Sequence, residues 1–233
     1  MTAPLSAEPQ IEIVRKAPAG IGPRCRTARL GVLGGTFNPI TNAHLGLARE
    51  AERAFQLHEV LLLLPRIPPH KALLGAPLSD RLAMMKLAVE EYPTFSVGWA
   101  SHGLFLDIAR GLVRIYPPST ALFFLTGRDA AERVLTWDYD DPQAALAEMF
   151  SRFELIVANR EGEFRLPPRP ELLPYRSKIH QLHLPPQYDP ISATRVRERV
   201  ARGEPIGEWV PPRVAAYIAQ RGLYREEAPR EQR

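Results

Sequence analysis

An α/β fold is expected, a doubly wound Rossmann-like parallel sheet with helices on both faces, and two stretches predict it. Leu30 to Ala48, LGVLGGTFNPITNAHLGLA, passes from an apolar strand through a glycine turn into an amphipathic helix. Val60 to Leu64 is a continuous apolar run, which suits a strand buried on both faces, because a strand with one wet face would alternate. Strand, helix, strand in that order is a βαβ unit, and ligands of such sheets lie beyond the carboxyl ends of the strands.

Residues 1–29 carry Pro4, Pro9, Pro18 and Pro23 without sustained periodicity and are expected to be a flexible N-terminal extension. The folded domain is expected over residues 30–225, followed by a loose, charged tail at 226–233. After the opening strand, Leu47, Ala48, Ala51, Ala54 and Phe55 recur at helical spacing. The loop Pro65 to Pro77 then presents Arg66, His70 and Lys71 at a strand's carboxyl end, which makes Lys71 a candidate triphosphate contact. Ser79 is expected to cap a helix bearing Leu82, Met85 and Val89, and Thr94 to Trp99 to form a short strand. Trp99, at that strand's end, offers a face for a planar base, with a place in the core as the alternative. Leu104, Ile108, Leu112 and Ile115 mark a third helix. Ala121 to Thr126 reads as a buried strand ending in Gly127-Arg128-Asp129, Pro142 to Phe150 as a helix, and Phe153 to Ala158 as a strand delivering Asn159 and Arg160. Residues 161–176, rich in Pro, Arg and Glu, read as a variable loop. The last helix starts at Pro211-Pro212, carries Val214, Ala215 and Ile218, and stops at Gly222.

Composition narrows the function classes. The formal charge is +4 and the pI about 9.4, but the basic excess is not clustered into runs, so nucleic-acid binding is not expected. Cys25 is the single cysteine, so no intrachain disulfide can form and a reducing, cytoplasmic setting is expected. No segment approaches the ~20 apolar residues that span a bilayer, so a soluble protein without a membrane partner is expected. His180 and His183 are three apart and on a strand would point to opposite faces, with no cysteine or acid nearby in the sequence. No metal site is expected.

The first motif is built for an anion. Gly34 and Gly35 allow a sharp turn and close approach of a ligand, Pro39 stiffens it, and Asn42 or Thr41 can cap the helix that follows. A helix N-terminus offers N–H groups and about half a positive charge, and His44 in its first turn can donate to a phosphate oxygen as charge develops. A P-loop is excluded, since no lysine followed by Ser or Thr stands after the last glycine. The dinucleotide fingerprint is excluded too, because Asn38 and Pro39 fill the slot of its third glycine. The match is to the nucleotidylyltransferase signature G-x-F-x-P-x-[His/Thr]-x-x-His, as Gly35, Phe37, Pro39, Thr41 and His44. A second motif, DPISATRVR from Asp189 to Arg197, opens a further helix with Ser192 as its cap. Thr194 and Arg197 stand in its first turn or so, a second anion site with a planar guanidinium fork.

Together GGTFNPITNAH and ISATRVR resemble the nicotinate or nicotinamide mononucleotide adenylyltransferases. The resemblance runs from about Leu30 to Tyr224 through PPHK, SDRLAMMKLA, TGRDAAERVLTW, ELIVANREG and VPPRVAAYIAQRGLY. It implies a domain that binds ATP, Mg²⁺ and a pyridine mononucleotide and releases pyrophosphate in NAD biosynthesis, with homo-oligomerisation left open. It implies that Gly34, Gly35, Thr36 and Phe37 line the nucleotide and phosphates, with Thr41 and His44 at the signature's polar positions. Ser192, Thr194 and Arg197 would hold the β- and γ-phosphates, and Gly127 and Asp129 would lie near the adenosine. Trp137 and Arg160, with Trp99, become candidates for the mononucleotide; His44 and Arg197 are the candidate catalytic groups. The common bacterial form has Asp, His and Gly where this chain has Asn38, Thr41 and Ala43, and FNPITNxH resembles the eukaryotic-type enzymes. Gly103 to Asp107 replaces a Ser-Tyr-Thr-type segment. A relative with another phosphorylated acceptor, or a nucleotide-binding protein without turnover, stays as the alternative. The implied reaction needs no nucleophilic side chain, since the mononucleotide's own phosphate attacks the α-phosphorus in line.

Overall fold

The computed structural model describes residues 9–23, 25–66, 75–159 and 162–225. Among these, seven strands form one sheet in the order β1-β4-β3-β2-β5-β6-β7. They are β1 (Ile11–Arg15), β2 (Arg29–Gly34), β3 (Glu59–Pro65), β4 (Phe95–Ala100), β5 (Ala121–Gly127), β6 (Phe153–Asn159) and β7 (Ile179–His183). All neighbours are parallel except β1, which runs antiparallel to β4. Helices α1 (Asn42–Phe55), α2 (Leu78–Ala88), α3 (Phe105–Leu112), α4 (Arg128–Leu135), α5 (Pro142–Arg152), α6 (Ala193–Ala201) and α7 (Pro212–Arg221) cover both faces. The expected doubly wound α/β architecture is therefore present.

The two faces are legible in β3. Val60, Leu62 and Leu64 join the core under α1, α2, α6 and α7, while Leu61 and Leu63 join the core under α3, α4 and α5. Because β3 is buried on both sides, each residue of the run has an apolar destination, and alternation is absent for that reason. Strand β2 pairs with β3 on one side and β5 on the other, so the winding direction reverses between β2 and β5. A crevice opens at such a switch point, beyond the carboxyl ends of the two strands. Gly34-Gly35 and Thr126-Gly127 stand there.

Several sequence-based expectations are corrected. The extension at 1–29 is not flexible throughout. Ile11–Arg15 forms the edge strand β1, paired as Ile11↔Ala100, Glu12↔Trp99 and Ile13↔Gly98. The two strands approach closely at Gly98, where an added Cβ would lie 2.6 Å from the Glu12 carbonyl oxygen. Behind the strand, the buried Glu59 carboxylate accepts from Lys16 Nζ at 2.7 Å, Ile21 N–H at 2.7 Å, the Ser96 hydroxyl at 2.6 Å and the Tyr116 hydroxyl at 2.5 Å. Burial, with the Glu59 charge beside it, holds the Tyr116 phenol in its neutral, donating form. The five-residue alternation of IEIVR is too short to read without its partner strand, some 85 residues on.

Ser79 is not the cap of α2, whose N-cap is Pro77 and has no side-chain cap bond. The third helix ends at Leu112, leaving Ile115 39% exposed. Arg128–Leu135 is a helix that the apolar periodicity did not mark. An acidic partner does stand by His180, because the sheet register places Glu154 beside it and His180 Nε2 lies 2.6 Å from Glu154 Oε2. No cluster of three or more potential metal-ligating side chains occurs among the described residues. No helix among them is long and apolar enough to cross a membrane. The tail at 226–233 lies outside the described residues.

Candidate active site

The glycine turn behaves differently from its sequence expectation. Neither Gly34 nor Gly35 has a positive φ; the left-handed residue is Phe37, at φ 42°. Gly35 serves close approach instead, since a Cβ there would lie 3.2 Å from the Phe37 ring; a Cβ on Gly34 would meet only Phe105, at 4.0 Å. A non-glycine residue at positive φ is uncommon and is retained where the surroundings impose it. The Phe37 side chain is 1% exposed and meets the His44 ring edge-on with centroids 5.2 Å apart. The Phe37 ring therefore packs against His44 from the protein side, which leaves its backbone as the part that can face a nucleotide.

Thr41 caps α1 in a reciprocal capping box. Its hydroxyl accepts from the His44 N–H at 3.4 Å, and His44 Nδ1 accepts from the Thr41 backbone N–H at 3.0 Å, with Thr41 Oγ1 2.8 Å from the same nitrogen. An Nδ1 that accepts from an amide carries no proton in the neutral ring, so the proton is assigned to Nε2. Thr41 is fully buried, and its hydroxyl lies against the His44 ring. Two of the amides expected to be open at this helix start are in use, Asn42 N–H on the Trp209 carbonyl at 2.8 Å and His44 N–H on Thr41. The α1 start still offers an anion its dipole, with the His44 ring in its first turn.

The second motif meets the first directly. Ser192 caps α6, accepting from Arg195 N–H at 3.2 Å. Arg197 Nη1 donates to the Asn38 carbonyl at 2.7 Å and Nη2 to Thr194 Oγ1 at 3.3 Å. One guanidinium therefore bridges residues 159 positions apart and sets Ser192, Thr194 and Arg197 beside Thr36 to His44. Two bonds leave three of its five N–H groups, enough for a bidentate hold on an anion.

Other candidates stand apart. Gly127 ends β5 at the switch point, and a Cβ there would meet nothing within 4 Å. Asp129 opens α4 with its side chain 84% exposed, 3.7 Å from Arg128 Nε. Trp99 lies on β4, two strands and hence ~10 Å from β2. Its indole N–H donates to Glu12 at 3.0 Å, and Arg66 stacks on its face at 5.1 Å. Trp137 follows α4 and is 38% exposed. Lys71 and Arg160 lie outside the described residues.

Three groups that sequence reasoning did not single out complete the cluster. Arg81 is 4% exposed and donates from Nη1 to the Thr36 carbonyl at 3.2 Å; burial lowers the pKa of its guanidinium. Asn38 Oδ1 accepts from Ala76 N–H at 3.1 Å and from the Tyr224 hydroxyl at 2.8 Å. A signal for Arg81 was present, a charged Asp-Arg pair in the first turn of a helix whose next four residues, Leu82 to Met85, are apolar. For Tyr224 no local signal exists.

Against known proteins, the model of the cytidylyltransferase-like family matches residues 32–199. The chain belongs to the cytidylyltransferase-like family. Within that family it is 32% identical over 209 residues to a Clostridium botulinum protein named "probable nicotinate-nucleotide adenylyltransferase", covering 83% of this chain and 98% of that one. A Moorella thermoacetica protein of the same name is 35% identical over 213 residues, covering 86% and 93%. Among solved structures, the Plasmodium falciparum nicotinic acid mononucleotide adenylyltransferase complexed with NaAD superposes with a TM-score of 0.64 at 19% identity, over 84% of this chain and 97% of that one. That likeness carries the cytidylyltransferase-like fold alone. The two family motifs span the matched region from one end to the other, which agrees with their meeting in space through Arg197.

Proposed function

We propose that the protein transfers AMP from ATP to nicotinate mononucleotide, releasing pyrophosphate, as a step of NAD biosynthesis. The observation that carries this reading is the Arg197–Asn38 bond, which joins an Nε2-protonated His44 and a capped, basic helix start into one anion site at the switch point. The names of the curated relatives supply the acceptor.

A phosphate oxygen of the mononucleotide attacks the α-phosphorus of ATP, a new P–O–P linkage forms, and the bond to the β-phosphate oxygen breaks as pyrophosphate departs. His44 donates from Nε2 to an α-phosphate oxygen, where charge builds in the transition state. Arg197, with the α6 N-terminus and Thr194, takes the β- and γ-phosphates, so the leaving charge is met by a fork and a helix dipole. Gly34, Gly35, Thr36 and Gly127 border the nucleotide; Lys71 and Asp129 are proposed to join it, and Trp99, Trp137 and Arg160 to contact the mononucleotide. The donor set is suited to anions, and among the described residues there is no carboxylate cage. Mg²⁺ fits as an ion carried by the triphosphate through phosphate oxygens and water, neutralising charge there.

The acceptor is tested by pyrophosphate release from the purified protein with ATP and Mg²⁺ and, in parallel, nicotinate mononucleotide, nicotinamide mononucleotide, phosphopantetheine and sugar phosphates. Nicotinate mononucleotide is expected to give the highest kcat/KM. Release with phosphopantetheine alone would assign another acceptor, and tight ATP binding with no release for any acceptor would make this a nucleotide-binding protein. The nicotinamide arm matters because Leu104, 42% exposed, and Phe105, near Gly34, replace the expected polar segment. A buried polar mismatch can discriminate by ~10⁴-fold.

A further inference from the structure

Distant parts of the chain meet at Asn38. Its Oδ1 accepts from Tyr224 and Ala76, and its backbone carbonyl accepts from Arg197. Asn38 is 7% exposed, so these bonds are made largely without competition from water. Tyr224 reaches it by an unfavourable route. Helix α7 stops at Gly222 with φ 61°, and Tyr224 itself adopts φ 64°, a left-handed conformation that L-residues with a Cβ rarely take. Such a conformation persists where its surroundings over-determine it. Here it places the Tyr224 hydroxyl on a residue 186 positions upstream. Burial pushes the Tyr224 phenol pKa well above its ordinary value, so the group remains a donor at any working pH.

Arg81 holds the opposite side of the same turn. Its Nε is buried without a hydrogen-bond partner among the described residues, and none of their carboxylates pairs with it. The neighbouring Asp80 is engaged by the Tyr217 hydroxyl at 2.7 Å and by Arg221 at 3.3 Å. A buried cation without a counter-ion is costly, yet behind a turn that faces polyanions its charge acts in the favourable direction.

We propose that Tyr224 is a positioning residue for adenylyl transfer: through Asn38 it sets where Arg197 stands over the departing phosphates, so the C-terminal turn and the first motif act as one clamp. This rests on the reading given under Proposed function. The Arg197 fork is tied at one end to the Asn38 carbonyl, so a displacement of Asn38 displaces the fork, and a misplacement of ~1 Å can cost ~10²-fold in rate.

Tyr224→Phe keeps the ring, removes the donor, and leaves Asn38 Oδ1 with the Ala76 N–H, so no buried acceptor is orphaned. It is expected to lower kcat by ~10-fold with the mononucleotide KM within about twofold and the thermal midpoint near the parent's, in keeping with loss of transition-state positioning. Arg197→Lys should cost far less in the Tyr224→Phe background than in the parent, because both act through one contact. Parental kcat in Tyr224→Phe, or losses that simply multiply in the double variant, would overturn the proposal. Failure of the proposed function is read separately, as absence of pyrophosphate release by the parent. In that event ATP affinity measured by titration still decides, since weaker binding by Tyr224→Phe supports the clamp and unchanged affinity refutes it.

Discussion

Replacing Thr41 by Val isolates the orientation of His44 from its chemistry. Valine fills the same buried space and keeps the backbone N–H that donates to Nδ1 at 3.0 Å, but it removes the hydroxyl 2.8 Å from that nitrogen. The helix loses its side-chain cap; His44 N–H retains the Thr41 carbonyl at 3.1 Å, so the amide is not orphaned. The stability cost is therefore about 1 kcal/mol, the ordinary value of an N-cap, or about 2–4 °C in Tm for a chain of this size. A hydrogen bond of about 1 kcal/mol withdrawn from ring orientation corresponds to a fall in kcat of roughly fivefold. Steady-state pyrophosphate release under saturating substrates reads kcat, and the ATP KM should stay within about twofold. Parental kcat would remove the hydroxyl from His44 orientation. A raised ATP KM at constant kcat would make Thr41 a phosphate contact and not an orienting group.

Arg197→Lys should raise the ATP KM and lower kcat together, because an ammonium cannot hold Asn38 and Thr194 and still offer a fork; kinetics with varied ATP test this. Glu59→Ala strands the Tyr116 and Ser96 hydroxyls, the Ile21 N–H and the Lys16 ammonium, and should cost about 3–5 kcal/mol in urea unfolding. The kcat of the folded variant should be unchanged, since Glu59 lies at the amino end of β3. Arg110 first, and then Arg152, holds the Glu148 carboxyl below the usual carboxylate range. That contribution is complete above the pKa of an unfolded glutamate and is lost as pH falls through the depressed folded value. The Tm deficit of Glu148→Gln, from about 0.5–1 kcal/mol at pH 7, should accordingly vanish on acidification below the normal Glu range.

The parallel strands were legible because burial on both faces writes itself as unbroken apolar runs, as in Val60 to Leu64. The first motif was legible because its turn, cap and histidine are local. What local sequence could not show is where donors and acceptors are spent. Thr41 and Phe37 look like ligand contacts in a signature; the signature does not show that both side chains also pack on His44. Asn38 looks like a turn residue, and its partners Ala76, Arg197 and Tyr224 lie 38, 159 and 186 positions away. Edge strand β1 escaped for the same reason, since its short alternation acquires meaning only against Gly98 and Trp99. For Trp99 the sequence showed an aromatic face at a strand end, but not that the indole N–H is spent on Glu12 of the edge strand or that its strand stands two places from β2.

The most direct test of the account is dinucleotide formation from ATP and nicotinate mononucleotide in a single turnover, by the parent and by His44→Ala, with ATP affinity measured alongside. His44 Nε2–H is proposed to act on the charge of the transition state, so the account predicts a fall in rate of ~10²–10³ with ATP affinity changed only a few-fold. A His44→Ala protein that forms the dinucleotide at the parental rate would contradict it.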